Sequence, residues 1–128
     1  MKFKEQKAIY EQITDRICDE LMNDVYPEGG RIISVREYAA AIQVNPNTVM
    51  RAYDWLQSEG IITLQRGVGY FVGKGAKRII RKRMLEEFRK EYLPELISRI
   101  NTLGITPEQL VEEIQEQTSS LALPEGKE

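Results

Sequence analysis

The chain has 128 residues, enough for one domain or a domain with an appendage, and its 18 Lys and Arg against 20 Asp and Glu leave a net charge of −2. It contains no histidine, so the commonest general base and metal ligand is missing, and its one cysteine excludes a disulfide framework or a multi-cysteine zinc site. The charged opening Met1-Lys2-Phe3-Lys4-Glu5 lacks the apolar stretch of a signal peptide, and no apolar run approaches the ~20 residues of a membrane span, so a cytoplasmic location is expected.

Tyr10, Ile13, Ile17 and Leu21 recur at helical spacing and predict a first helix with one inner face. Cys18 within it reads as a partly buried small residue, with a redox sensor as the alternative. The stretch Tyr26-Pro27-Glu28-Gly29-Gly30 is a turn-rich link. Ser34-Val35-Arg36-Glu37 is then a capping box, with Ser34 capping and Glu37 reaching back to the Ser34 amide. The helix it opens carries Val35, Tyr38, Ala39 and Ile42 and must end near Gln43, because Asn45-Pro46 starts another. That leaves about three residues between the helices, the helix-turn-helix spacing, and the small Ala39 and Ala40 permit a close crossing.

In the second of these helices Val49, Ala52, Tyr53 and Leu56 form the apolar stripe, and Asn47, Thr48 and Arg51 are left on the open faces. Amides, a hydroxyl and a guanidinium at an exposed helix start suit base edges and phosphates, although an ordinary solvated polar face would read the same way. Ser58-Glu59-Gly60 ends the helix, after which Ile61-Ile62-Thr63-Leu64-Gln65 and Tyr70-Phe71-Val72 carry the β-branched and aromatic residues of strands. Arg66-Gly67-Val68-Gly69 between them is a turn whose glycines can take positive φ. Helix, turn, helix and hairpin make a winged helix-turn-helix, with Arg66 at the tip to enter a minor groove. A plain hairpin using its glycines only for geometry is the competing reading.

These segments together resemble the GntR family of bacterial transcription regulators. The residues that carry the resemblance are Ile9-Tyr10-Glu11-Gln12-Ile13, Ser34-Val35-Arg36-Glu37, Val44-Asn45-Pro46-Asn47-Thr48-Val49-Met50-Arg51-Ala52-Tyr53, Gly60-Ile61-Ile62 and Arg66-Gly67-Val68-Gly69-Tyr70-Phe71-Val72, a run from about Lys7 to Val72 without a gap. The resemblance implies a DNA-binding domain that contacts operator DNA through Arg36 and the start of the second helix of the pair. The candidate DNA-binding set is therefore Ser34, Arg36, Asn45, Asn47, Thr48, Arg51, Arg66, Gly67 and Gly69. Two positions depart from the family pattern: Ile33 stands where a proline often precedes the Ser-Val-Arg-Glu box, and Met50 where many members carry arginine.

A net negative charge is not what a DNA binder's basic patch predicts, but only the face toward DNA must be positive. Lys74, Lys77, Arg78, Arg81, Lys82 and Arg83 form a run after the wing with no acid inside it, while acids gather in Asp15 to Asp24 and Glu86 to Glu95. The run reads equally as a source of backbone contacts or as a solvated helix start.

From about Ala76 the chain is helical. Ile80, Met84, Leu85, Phe88, Tyr92, Leu96, Ile100 and Leu103 make a broad apolar stripe, and Pro94 inside it should bend or restart the helix. Gly104 ends the segment, Thr106-Pro107-Glu108-Gln109 is another capping box, and Leu110, Val111 and Ile114 precede a polar tail from Gln117 that is expected to be disordered. The overall expectation is an α+β, mainly α chain: a winged helix-turn-helix over residues 1–75 and a two-helix dimerisation tail over 76–128. Leu85, Phe88, Tyr92, Leu96, Ile100 and Leu103 are the candidate dimerisation residues, against the alternative of a monomer whose tail folds back. The tail, with Leu103-Gly104-Ile105-Thr106-Pro107-Glu108-Gln109-Leu110, is similar to that of the YtrA-like subfamily. This resemblance implies a homodimeric repressor on an inverted-repeat operator in double-stranded DNA, and control of a neighbouring membrane-transporter operon.

An enzyme is poorly supported. There is no Gly-rich phosphate loop, and paired acids such as Glu86-Glu87 and Glu112-Glu113 lie on polar helix faces where solvation explains them. No catalytic residue, metal site or cofactor is predicted. A two-helix tail offers little enclosed volume, so any small effector would have to bind between protomers or beside the winged helix. The rival from another class is a winged helix that binds protein, for which Trp55, off the apolar stripe, is the one residue that speaks, unless it is buried under the wing or the tail.

Overall fold

In the computed structural model, which describes residues 7–121, α1 spans Ile9–Met22, α2 Val35–Ile42 and α3 Pro46–Ser58. Strands β1 (Ile62–Gln65) and β2 (Gly69–Val72) follow, then α4 (Ala76–Glu87), a π-helical turn (Phe88–Tyr92), α5 (Leu93–Leu103) and α6 (Pro107–Ser120). The expected winged helix-turn-helix and the helices after it are present. The starts of α2 and α3 are closed as the residue types predict. Ser34 Oγ accepts from the Glu37 amide at 3.1 Å, while the Glu37 carboxylate accepts from the Ser34 amide at 2.9 Å. Asn45 Oδ1 accepts from the Asn47 amide at 2.8 Å, with Pro46 in the first turn of α3. α2 stops because Gln43 turns left-handed, φ 58°, which leaves only 43–45 to connect the pair.

β1 and β2 pair antiparallel, with Ile62 opposite Val72 and Gln65 opposite Gly69. Gly69 thus belongs to the second strand, the turn proper is Arg66 to Val68, and Ile61 lies just outside the ladder. The link ahead of α2 adds an edge that its turn-rich composition did not announce. Arg31 bridges Phe71 antiparallel, and the Ile32 amide donates to the Tyr70 carbonyl at 3.0 Å. The Val72 amide donates to the Gly30 carbonyl at 2.8 Å, so both edges of β2 are hydrogen-bonded.

The chain divides into two compact units, one running to Glu87 and the other starting at Phe88. The first has a core in which Ile17, Val49, Tyr53, Leu56 and Ile61 are 1% exposed or less. Ala76 and Ile80 belong to that core at 0% and 1% exposure. α4 is therefore part of the winged-helix unit, and the division falls after residue 87 and not after residue 75. The stripe read from Ile80 onward hid this, because its first member, Ile80, is buried in that core while Met84, next in the stripe, is already 45% exposed.

In the second unit Pro94 sits in the first turn of α5, directly after the π-helical turn. A proline there cannot bond back to the carbonyl four residues earlier, and a wider i→i+5 turn is the local way to serve that carbonyl from the next amide. Gly104, φ 73°, ends α5 in the left-handed conformation. Thr106 Oγ1 then accepts from the Gln109 amide at 3.1 Å and opens α6. α6 runs to Ser120, so residues 117–120 are helical where a disordered tail was expected; the rest of that expectation lies outside the described residues. No helix among the described residues is long and apolar enough to cross a membrane.

Candidate nucleic-acid interface

α3 turns Val49, Ala52, Tyr53 and Leu56 into the core, all at 1% exposure or less, which fixes what it shows to solvent. Asn45, Asn47, Met50 and Arg51 are exposed and Thr48 is half-buried. Asn45 accepts the Asn47 amide with its side-chain oxygen, so its NH2 group and one remaining oxygen lone pair are left for a nucleic acid. Asn47 has no such commitment and presents both donor and acceptor, the pattern that matches the N6 and N7 edge of adenine. Met50, at the position where family members often carry arginine, lies toward the wing, its Sδ 3.9 Å from the Tyr70 hydroxyl.

Arg51 has a partner that the spacing of α3 could not reveal. Its guanidinium lies 4.0 Å from the centre of the Tyr10 ring on α1, a cation–π contact that pre-orients the side chain while leaving it exposed. The signal that could have found it is Tyr10 itself, an aromatic on an otherwise aliphatic inner face.

At the start of α2, Ser34 and Arg36 are exposed. The Ser34 hydroxyl oxygen accepts within the cap, and hydrogen bonding from Ser34, its backbone amide first, holds the Glu37 carboxyl below its ordinary pKa. Arg36, one residue into the helix, has no described ion pair and is free to reach outward. In the wing, Arg66 is exposed at the tip, and the two glycines have different reasons to be there. Gly67 has φ +76° with nothing within 4 Å of where a Cβ would sit, so conformation alone demands it. Gly69 has φ +144°, and a Cβ there would stand 2.9 Å from Arg31 Nε.

The basic run after the wing is divided. Lys77 Nζ pairs with Asp24 at 2.7 Å, Arg83 pairs with Glu59 at 2.8 Å, and the Arg78 guanidinium lies over Gly75. Lys74, Arg81 and Lys82 are exposed and carry no described ion pair. Trp55 is half-buried against the core, with the Arg83 guanidinium 4.6 Å from its ring, so α4 covers the one aromatic that could have marked a protein partner. Burial, with Asp15 and Asp19 nearby, pushes the Cys18 thiol up to about 12, which removes the thiolate that redox sensing requires.

Comparison with known proteins agrees with this arrangement. The family model for bacterial regulatory proteins of the gntR family matches residues 9–72, the span from α1 to the end of β2. The HTH-type transcriptional repressor YtrA of Bacillus subtilis (strain 168) is 37% identical over 108 residues, covering 84% of this chain and 82% of YtrA. The HTH-type transcriptional regulator YhcF of the same organism is 33% identical over 113 residues, covering 88% of this chain and 92% of YhcF. A crystal structure of a GntR-family transcriptional regulator from Bacteroides thetaiotaomicron superposes with a TM-score of 0.77 at 44% identity, covering 89% of this chain and 99% of that one. The matches to YtrA and YhcF are too long to end at the wing and extend through α5, and the family and both proteins are transcription regulators. The chain belongs to the gntR family of bacterial regulatory proteins and is a YtrA-like, winged helix-turn-helix DNA-binding transcription regulator.

Proposed function

We propose that two copies of the chain pair through the helical unit that begins at Phe88 and act as a repressor on an inverted-repeat operator. Each copy lays α3 in a major groove, with Asn47 and Thr48 at base edges and Arg36 and Arg51 on phosphates, and its wing enters the adjoining minor groove through Arg66. The observation that carries the pairing is the poverty of the second unit's own core. Among the described residues of α5 and α6 only Glu95 is buried, while Leu96, Ile97, Leu103, Val111 and Ile114 are 37% to 69% exposed. Helices that leave this much apolar surface in water are completed by a partner, and a second copy supplies the same stripe in a self-complementary form. Phe88 at 45% exposure and the half-buried Tyr92 and Ile100 extend the surface read from the sequence; Leu85, half-buried on α4, belongs to the other unit. Ile97 was missed because it lies one residue off the stripe.

The repressive sense is taken from YtrA, and a transporter operon as the target rests on the subfamily resemblance alone. Selection of bound sequences from a random duplex library tests the whole reading. A palindrome whose half-sites are about one helical turn apart, or a multiple, is expected together with a dimer in sedimentation at micromolar concentration. A single non-repeated site, or a monomer at that concentration, overturns the paired reading.

A further inference from the structure

Arg31 lies outside every motif read from the sequence, yet its side chain is placed by the wing. Ile32 beside it is 3% exposed, so alternation along the extended link turns Arg31 to the open side. Its backbone bridges Phe71, and Gly69, two residues earlier on β2, is the diagonal neighbour on the same face of the sheet. The guanidinium runs along that diagonal. A Cβ on Gly69 would stand 2.9 Å from Nε, 3.1 Å from Nη2 and 3.3 Å from Cζ of Arg31, so the planar group lies in the slot that the missing side chain leaves.

No described carboxylate forms an ion pair with it. The Glu37 carboxylate is near enough to feel its charge but is committed to the Ser34 amide at 2.9 Å. Arg31 therefore stands between two parts of the candidate interface, the wing at Gly69 and the capped start of α2 that bears Arg36. A guanidinium already held flat loses less freedom on meeting an anion than a freely rotating one, and its fork of N–H donors matches phosphate oxygens.

We infer that Arg31 is a further DNA-contacting cation, seated beside the wing by Gly69, and that it binds a backbone phosphate of the duplex. The inference rests on the proposed docking of α3 and the wing on DNA. It assigns Gly69 a second task besides its backbone conformation, that of leaving room for the Arg31 side chain.

The test is a salt titration of the full-length chain on its selected duplex and on a random duplex, with wild type, Arg31→Ala, Arg31→Gln, Arg31→Lys and Arg16→Ala. Arg31→Ala and Arg31→Gln should each weaken binding severalfold on both duplexes and lower the slope of log K against log salt by about one. Arg31→Lys should keep the slope, because it keeps the charge. Arg16, paired with Glu20 on α1, controls for net charge, and Arg16→Ala should leave the slope unchanged. Arg31 variants with wild-type slope and affinity, in a chain that itself binds with a salt-dependent affinity, overturn the inference alone, as does an equal loss of slope in Arg16→Ala. Absence of salt-dependent duplex binding by the wild type overturns the docking reading and this inference with it.

Discussion

The phenol of Tyr53, in the middle of α3, donates a 2.8 Å hydrogen bond to the backbone carbonyl of Ile33, the residue that leads into the Ser34 cap of α2. Its ring also meets those of Tyr38 on α2 and Tyr70 on β2 edge-on, at 6.3 and 5.0 Å between centroids. One side chain thus ties the candidate reading helix to the helix before it and the wing after it. Burial raises the Tyr53 hydroxyl's pKa, which keeps it a donor throughout the physiological range. Ile33 stands where the family often has proline, and the entry to α2 is held here by this bond.

Tyr53→Phe removes the donor and leaves the ring. We expect a loss of about 1–2 kcal/mol in stability, since a carbonyl inside the fold loses its partner. Urea unfolding should show a lower midpoint at an unchanged slope. An unaltered midpoint would mean that water replaces the phenol without cost.

Arg51 and Asn47 should separate in binding. Arg51→Ala should weaken affinity for all duplexes and reduce the salt slope by about one, whereas Asn47→Ala should cost about 1–3 kcal/mol on the selected operator and little on random DNA. Tyr10→Leu frees the Arg51 guanidinium, and a double-mutant cycle on stability between the two positions should give about 0.5–1 kcal/mol of coupling. Equal losses for Asn47→Ala on specific and random duplexes would rule out base reading by that side chain.

Alkaline pH should unfold the chain before moderate acid does. The Cys18 thiol is raised from its ordinary 9.0 to about 12 by burial, and burial also raises the Tyr38 and Tyr53 hydroxyls above 10.0. Groups with raised folded pKa values contribute stability that is complete below their unfolded pKa and is lost as pH rises toward the folded value. Urea midpoints should therefore hold to about pH 9 and fall from there toward pH 12. In the acid direction the lowered Glu37 carboxyl contributes stability that is present above its ordinary 4.5 and lost below it. A thiol reagent at pH 8 should modify Cys18 readily only after denaturation; rapid reaction in the folded chain would contradict the burial of its sulfur.

A chain cut after Glu87 should fold as a monomer with far weaker operator binding, because two half-sites are no longer held by one body. A cut after Gly75 should do worse and fail to fold stably, since it removes Ala76 and Ile80 from the core. Loss of a buried isoleucine side chain such as that of Ile80 costs about 2–5 kcal/mol, a large part of a small domain's stability. Equal stability of the two truncations would show that α4 adds nothing to the winged-helix unit.

The parts that could be read from the chain are those where one local cause suffices. The Ser34 and Asn45 caps, the stripe through Val49, Ala52, Tyr53 and Leu56, and the glycines of the wing each depend on neighbours within a few residues. The candidate set of polar residues followed, because what the stripe does not bury must face outward. Contacts across the fold were not readable. Tyr10 under Arg51, Phe71 opposite Arg31 and Ala76 inside the core each join elements remote in sequence, and a single bridged residue carries no period to detect. The unit boundary moved for the same reason. A helical stripe continues through Ile80 and Leu96 alike, while only packing tells that the first is buried and the second exposed.

The chain has one tryptophan, and Trp55 lies between α3 and α4 with a guanidinium against its ring. Its emission is therefore an optical gauge of one place, the seating of α4 against the winged helix. The residues from Phe88 onward hold none, so their melting is silent in that channel and visible only in far-ultraviolet dichroism. Two thermal traces on one sample would then divide the molecule in time as its packing divides it in space. Coincident curves would mark a single cooperative body, and an early loss of helix at constant tryptophan emission would mark a helical unit that is the first to let go.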